Sequence, residues 1–171
     1  MTSILTRSAR EPDRVLRYSD APTGVIDVYD GERGLLVLIH GGFWRARYDR
    51  LHLRPLAAAL ADAGWRVALP EFRRVGDPGG GWPGTVDDVR RLVRQLPTLL
   101  GAESITLIGH SAGGHLAMLA AADPDARVTR VVSLAGVLDL VDAQRRGLSD
   151  GAADEVLAGA PVAVADAMTL P

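Results

Sequence analysis

Ile105-Thr106-Leu107-Ile108-Gly109-His110-Ser111-Ala112-Gly113-Gly114-His115-Leu116-Ala117 passes from an apolar run through closely spaced glycines into an alanine-rich segment. The apolar run predicts a short buried strand, Ile105 to Gly109. The small residues after it predict a helix over Ala112 to Ala122, closed by Asp123-Pro124. Between them, Gly109-His110-Ser111-Ala112-Gly113 has the spacing Gly-x-Ser-x-Gly. Such a turn reverses the chain sharply with serine at its tip, and glycines on either side remove side-chain clashes. A serine hydroxyl attacks poorly unless it is presented to substrate and relieved of its proton. Ser111 is therefore the candidate catalytic nucleophile, with Gly109 and Gly113 supporting the turn and His110 beside it as a candidate pocket residue. The N–H of Ala112 opens a helix, where free amides and the helix dipole favour an oxyanion.

A second motif lies upstream. Leu35-Leu36-Val37-Leu38-Ile39 is apolar throughout, as expected of a strand covered on both faces in a parallel sheet, and His40-Gly41-Gly42-Phe43-Trp44 follows it directly. Glycines let backbone approach a reacting carbonyl closely. Gly42 and Phe43 are thus candidate backbone donors for the same oxyanion, each such donor being worth roughly 3–4 kcal/mol in the transition state. Gly41 supports the loop. His40, at the strand end before the glycines, is expected to order the loop by hydrogen bonding rather than to act as a base. Trp44 and Trp82 fit either an apolar substrate pocket or simple packing.

The remaining pattern alternates strands with helices. Val25 to Tyr29 reads as a strand near a sheet edge, and Trp65 to Phe72 as another strand. A helix is expected over Asp49 to Ala63, ending at Gly64. A second is expected from a Thr85 cap to about Leu100, with Val86, Val89, Leu92, Val93 and Leu96 on one side. Arg73 to Pro83, rich in glycine, reads as a loop and leaves open whether it is a lid or a connection. Val128 to Val137 reads as a strand, and Asp142 to Ala160 holds one or two short helices. Residues up to about Pro22 and from Pro161 to Pro171 carry no clear pattern. This order predicts one α/β domain over residues 1–171, a mostly parallel sheet flanked by helices on both faces. Ligands in such sheets bind outside the carboxyl ends of the strands, where both glycine motifs fall.

Composition narrows the chemistry. The chain has 171 residues, 47% of them apolar and 23% charged, with a net charge of −2. Its arginines are scattered without interleaved aromatics, which argues against a nucleic-acid partner. No cysteine is present, which excludes disulfides, thiolate metal sites and cysteine nucleophiles, and the four histidines have no zinc-like spacing. No cofactor or metal is expected. Nothing in the N-terminus reads as a signal peptide and no stretch reads as a membrane span, so a cytoplasmic protein without a membrane partner is expected.

Together, His40-Gly41-Gly42-Phe43-Trp44 and Gly109-His110-Ser111-Ala112-Gly113-Gly114-His115 resemble the hormone-sensitive-lipase and kynurenine-formamidase (arylformamidase) side of the α/β-hydrolase superfamily. Pro70-Glu71-Phe72-Arg73-Arg74 and the entry from Trp82-Pro83 to Asp87-Asp88 extend the resemblance. It implies an α/β-hydrolase fold and a serine hydrolase acting on a small ester or amide through an acyl-enzyme on Ser111. It also implies an acid and then a histidine after the serine. Here the sequence departs from the pattern. The one histidine after Ser111 is His115, four residues on in the same helix. Asp139 is the best-placed acid, yet no histidine follows it. His52 falls in the expected Asp49–Ala63 helix, away from the turn. Three explanations fit: a chain lacking the last strands of the fold, a non-catalytic relative that binds ligand or partner without turnover, or a base taken from His40 or a second chain. The first is favoured, and it predicts an exposed sheet edge prone to self-association.

Overall fold

The computed structural model describes residues 7–158. Its sheet explains the uninterrupted apolar run at Leu35 to Ile39. Six strands occur in chain order: β1 (Arg14–Arg17), β2 (Val25–Tyr29), β3 (Arg33–Ile39), β4 (Trp65–Pro70), β5 (Ile105–His110) and β6 (Val128–Leu134). They lie side by side in the order β1-β2-β4-β3-β5-β6. The four strands from β4 to β6 run parallel, while β1 and β2 are antiparallel additions at one edge. The mostly parallel α/β sheet expected from the pattern is therefore present.

Period-two alternation within the central strands divides the core into two layers. On one face Leu36, Leu38, Val67 and Leu69 meet Ala57 and Ala61 of α1 (Arg54–Asp62). On the other, Leu35, Val37, Ile39 and Ala68 join the cluster built by α2 (Gly84–Leu99) and α3 (Ala112–Ala121). Val89, Leu92, Val93 and Leu96 on α2 are all buried, as their spacing on one helix side predicts. The short helices α4 (Leu140–Arg145) and α5 (Leu148–Leu157) add Leu140, Ala143 and Val156 to the same layer.

Several boundaries differ from the sequence pattern, each for a local reason. The expected helix from Asp49 is split into a 3-10 turn over Arg50–Leu53, capped by the Asp49 carboxylate on the Leu51 N–H at 3.0 Å, and then α1. Pro55 fits only the first turn of an α-helix, which fixes where α1 begins. Thr85 does not cap α2. The cap position is Pro83, and the buried Thr85 hydroxyl instead accepts from Gly81 N–H at 3.0 Å and donates to the Arg73 carbonyl at 2.7 Å. Strand β6 stops at Leu134 rather than Val137 because Ala135 turns left-handed, at φ 50°. Strand β1 arises in the weakly patterned N-terminal stretch, outside β2, which lies one strand in from that edge. At the opposite edge, β6 pairs with β5 and with no other strand among the described residues, leaving Val132 and Leu134 exposed. The unpatterned segment Pro161 to Pro171 lies outside the described residues.

Candidate functional site

Parallel pairing of β3 with β5 places Ile39 opposite Gly109, so the chain leaves both strands at adjacent points on the same edge. The two glycine motifs therefore meet. A Cβ on Gly41 would stand 2.7 Å from the His110 carbonyl oxygen and 3.1 Å from Ser111 Cβ. No side chain fits between the loop and the turn.

Ser111 is held at φ 53° and ψ −121°, a conformation that costs a non-glycine residue about 1–3 kcal/mol and persists only where its surroundings enforce it. They do. Its N–H donates to the Leu134 carbonyl at 2.9 Å, and its own carbonyl accepts the Gly114 N–H at 2.9 Å. A Cβ on Gly113 would lie 2.1 Å from the Ile39 carbonyl, and one on Gly109 would lie 2.2 Å from the Gly113 carbonyl. The Ala112 and Gly113 amides begin α3, where an N–H has no helical acceptor.

In the neighbouring loop Gly42, Phe43 and Trp44 all have positive φ, at 119°, 59° and 57°. Arg45 N–H closes on the Gly42 carbonyl at 3.0 Å, and Val75 N–H on the Trp44 carbonyl at 2.7 Å.

A cavity of about 930 Å³ opens over this junction, near the upper end of the range for small-molecule sites. Gly42, Phe43, His110 and Ser111 form one wall, and Leu53, Leu56, Ala59 and Leu134 give it an apolar lining. His110 lines this cavity beside Ser111. Trp44 does not. Its indole is buried in the core, edge-on to the His115 ring at 5.6 Å, and Trp82 also packs against that core. Arg73 to Pro83 contributes nothing to the cavity wall. That loop is tied down beside the glycine loop by Ala46 N–H on the Val75 carbonyl and by the Arg74 guanidinium on the Tyr48 carbonyl at 2.6 Å, and to α5 by Trp82 N–H on the Val156 carbonyl. It is a connection and not a cover for this cavity.

The histidines separate by role. His115 is fully buried in α3. His40 is buried too: Nδ1 donates to the Gly41 carbonyl at 2.8 Å, and Nε2 meets Glu71 Oε1 at 2.7 Å. Glu71, just past β4, also receives Arg50 N–H at 3.0 Å and the Arg74 guanidinium at 2.9 Å. Burial opposes its charge, but the His40 hydrogen bond, Arg74 and the Arg50 amide outweigh burial and hold its carboxyl below the usual range. His52 is the correction to the sequence pattern. The 3-10 turn brings it onto the same cavity wall as Ser111, with its ring 5.8 Å from that of His40. Burial, and then the neighbouring His40, push its protonation to lower pH and favour the neutral ring. Asp139 caps α4, accepting from Asp142 N–H at 2.8 Å. Among the described residues no cluster of side chains suits a metal ion, and no helix is long and apolar enough to cross a membrane.

Two mycobacterial proteins are similar to this chain in sequence, and a solved esterase is similar to it in fold. The "Probable carboxylic ester hydrolase LipM" of Mycobacterium tuberculosis (strain ATCC 25618 / H37Rv) is 30% identical over 131 residues, 67% of this chain and 30% of that protein. "Esterase LipQ" of the same organism is 31% identical over 136 residues, 69% of this chain and 32% of its own. The chain thus spans about a third of the length of these curated relatives. Esterase B from Lactobacillus rhamnosis, solved with a tributyrin phosphonate, superposes with a TM-score of 0.74 at 22% identity. That likeness covers 94% of this chain and 61% of the esterase and concerns the fold alone. Residues 34–167 match the family model of the alpha/beta hydrolase fold, and the chain belongs to that family.

Proposed function

We propose that this chain is a serine-hydrolase module that binds a small ester or amide in the Ser111 cavity and presents Ser111 to its carbonyl, with little turnover of its own. One observation carries this reading. The glycine loop and the serine turn converge on one cavity, while the sole histidine that follows Ser111 in the sequence is buried against Trp44. In this reading Ser111 is the nucleophile, and the backbone amides of Gly42, Phe43 and Ala112 form the oxyanion hole. An oxyanion hole retains some rate over water even when a triad member is missing. The names of the two mycobacterial relatives support an ester substrate. Resemblance to the hormone-sensitive-lipase and arylformamidase side adds aryl esters and N-formyl amides to the substrate class. Self-association through the edge of β6 that has no partner strand among the described residues belongs to the same reading.

His52 favours a second reading, a hydrolase that does turn over. It lines the cavity with Ser111, and burial favours its neutral form, the state a general base requires. Release of p-nitrophenol from p-nitrophenyl acetate separates the two. The first reading expects steady-state release close to that of the Ser111→Ala chain. Sustained release at least a hundredfold above that variant, abolished by His52→Gln, would replace it with the second.

A further inference from the structure

Both ring nitrogens of the buried His40 face groups that only accept. Nδ1 lies 2.8 Å from the Gly41 carbonyl oxygen, which has no proton to offer. Nε2 lies 2.7 Å from Glu71 Oε1, and that carboxylate already collects the Arg74 guanidinium and the N–H groups of Phe72 and Arg50. A carboxylate with so many donors is ionised, so it too can only accept. Neither neutral tautomer of His40 satisfies both contacts, because each leaves one nitrogen lone pair against an oxygen lone pair. The imidazolium satisfies both. Phe72 completes the niche, its ring stacked on the imidazole at 4.4 Å between centroids, as the face of an aromatic ring stacks on a cation.

The Gly41 carbonyl and the Gly42 N–H belong to one planar peptide and point in opposite directions. A charged donor on that oxygen therefore fixes the direction of the Gly42 N–H and withdraws electron density through the peptide, which strengthens it as a donor. We propose that Glu71 holds His40 as an imidazolium whose Nδ1–H grips the Gly41 carbonyl, making the Gly42 N–H an oriented and polarised oxyanion donor. Glu71 and His40 are positioning residues, acting through that peptide. The inference rests on the reading of Ser111 as the attacking group, and it selects Gly42 rather than Phe43 as the donor that the buried pair controls.

The test pairs nitrogen NMR with Ser111 labelling on the full chain. Long-range ¹⁵N–¹H correlation at pH 7.5 is expected to show both His40 nitrogens protonated, with the signals assigned by loss in His40→Asn. In Glu71→Gln one of them is expected to become unprotonated. Phosphonylation of Ser111 by a fluorophosphonate is then expected to slow by about tenfold or more, less than the hundredfold or greater loss of a whole oxyanion donor. Asn at position 40 can still donate to the Gly41 carbonyl but carries no charge, so rescue of the labelling rate by His40→Asn would overturn the charge role. A neutral His40 in the wild type overturns the inference without needing any variant to fold. Labelling of folded Glu71→Gln at the wild-type rate overturns it as well. A folded wild type that leaves Ser111 unlabelled overturns the functional reading itself, and the NMR signature keeps the two failures distinct.

Discussion

The ring of His115 meets the Trp44 indole edge-on, 5.6 Å between centroids, beneath the turn that carries Ser111. Both side chains are buried, so the last histidine in the sequence and the tryptophan of the glycine loop belong to the core and not to the cavity. Truncating Trp44 to alanine should cost about 3–5 kcal/mol of stability, as for other buried large aromatics. Urea denaturation measures it. A change below 1 kcal/mol would mean that the indole is not packed as described.

The turn itself tolerates no added methyl. In Gly113→Ala the new Cβ would lie 2.1 Å from the Ile39 carbonyl, a backbone atom that cannot swing aside. Overpacking of this sort costs about 1–3 kcal/mol or more, and relief requires β3 and α3 to part, which displaces the loop that follows β3. The variant is expected to lose both thermal stability and Ser111 labelling. Retention of both would show that the turn is looser than the contacts require.

Acid should weaken the fold through Glu71. Its carboxyl titrates below the ordinary range in the folded chain, so the unfolded chain takes up the proton first as pH falls. The stability it contributes is complete above the ordinary carboxylate range and is lost as pH drops through that range toward the folded value. Glu71→Gln removes one partner of a buried pair and should cost about 3–5 kcal/mol at neutral pH. Its stability should also fall less steeply than that of the wild type below pH 5. Denaturation curves between pH 3 and 7 for the two chains check both statements.

His52 behaves in the same sense for the opposite reason. Burial and the nearby His40 disfavour its protonated form in the folded chain, so stability declines as pH falls through the ordinary histidine range toward its lower folded value. Replacing His40 with Asn removes one of the depressing influences and leaves burial and His110, so His52 should then titrate at higher pH. Histidine proton shifts followed by NMR from pH 8 to pH 5 report it, and an unchanged or lowered titration would contradict the placement of the two rings.

Association is expected at the other end of the sheet. Val132 and Leu134 on β6 are each 41% exposed, along a strand with one neighbour among the described residues. Light scattering should show concentration-dependent oligomers that Val132→Lys shifts toward monomer, since a charge on an edge strand opposes pairing. Monomers of the unaltered chain at every concentration would remove this expectation.

Much of the site was legible because it is local. The Gly-x-Ser-x-Gly spacing and the glycine loop each sit at the end of an apolar strand, and strand register alone then brings them together at Ile39 and Gly109. What the sequence hid depends on contacts between distant residues. Glu71 reaches His40 across 31 positions, and although both stretches carry the family resemblance, neither shows that the two side chains meet. The sequence pattern puts His52 in an uninterrupted helix, whereas Pro55 shortens that helix and leaves a 3-10 turn that swings the ring onto the cavity wall. Strand β1 carries no apolar alternation to mark it, since in Arg14–Arg17 only Leu16 packs against the core, and only partly buried. It forms by pairing with β2, helped by the Arg14–Asp30 ion pair.

The central claim is that Ser111 stands presented to an electrophile in the oxyanion cradle of this chain. Intact-mass measurement after incubation with a fluorophosphonate, followed by peptide mapping, tests it most directly. The account predicts a single adduct on Ser111, absent from Ser111→Ala. A chain shown to be folded by circular dichroism that acquires no adduct, or acquires it at other serines equally, would contradict it.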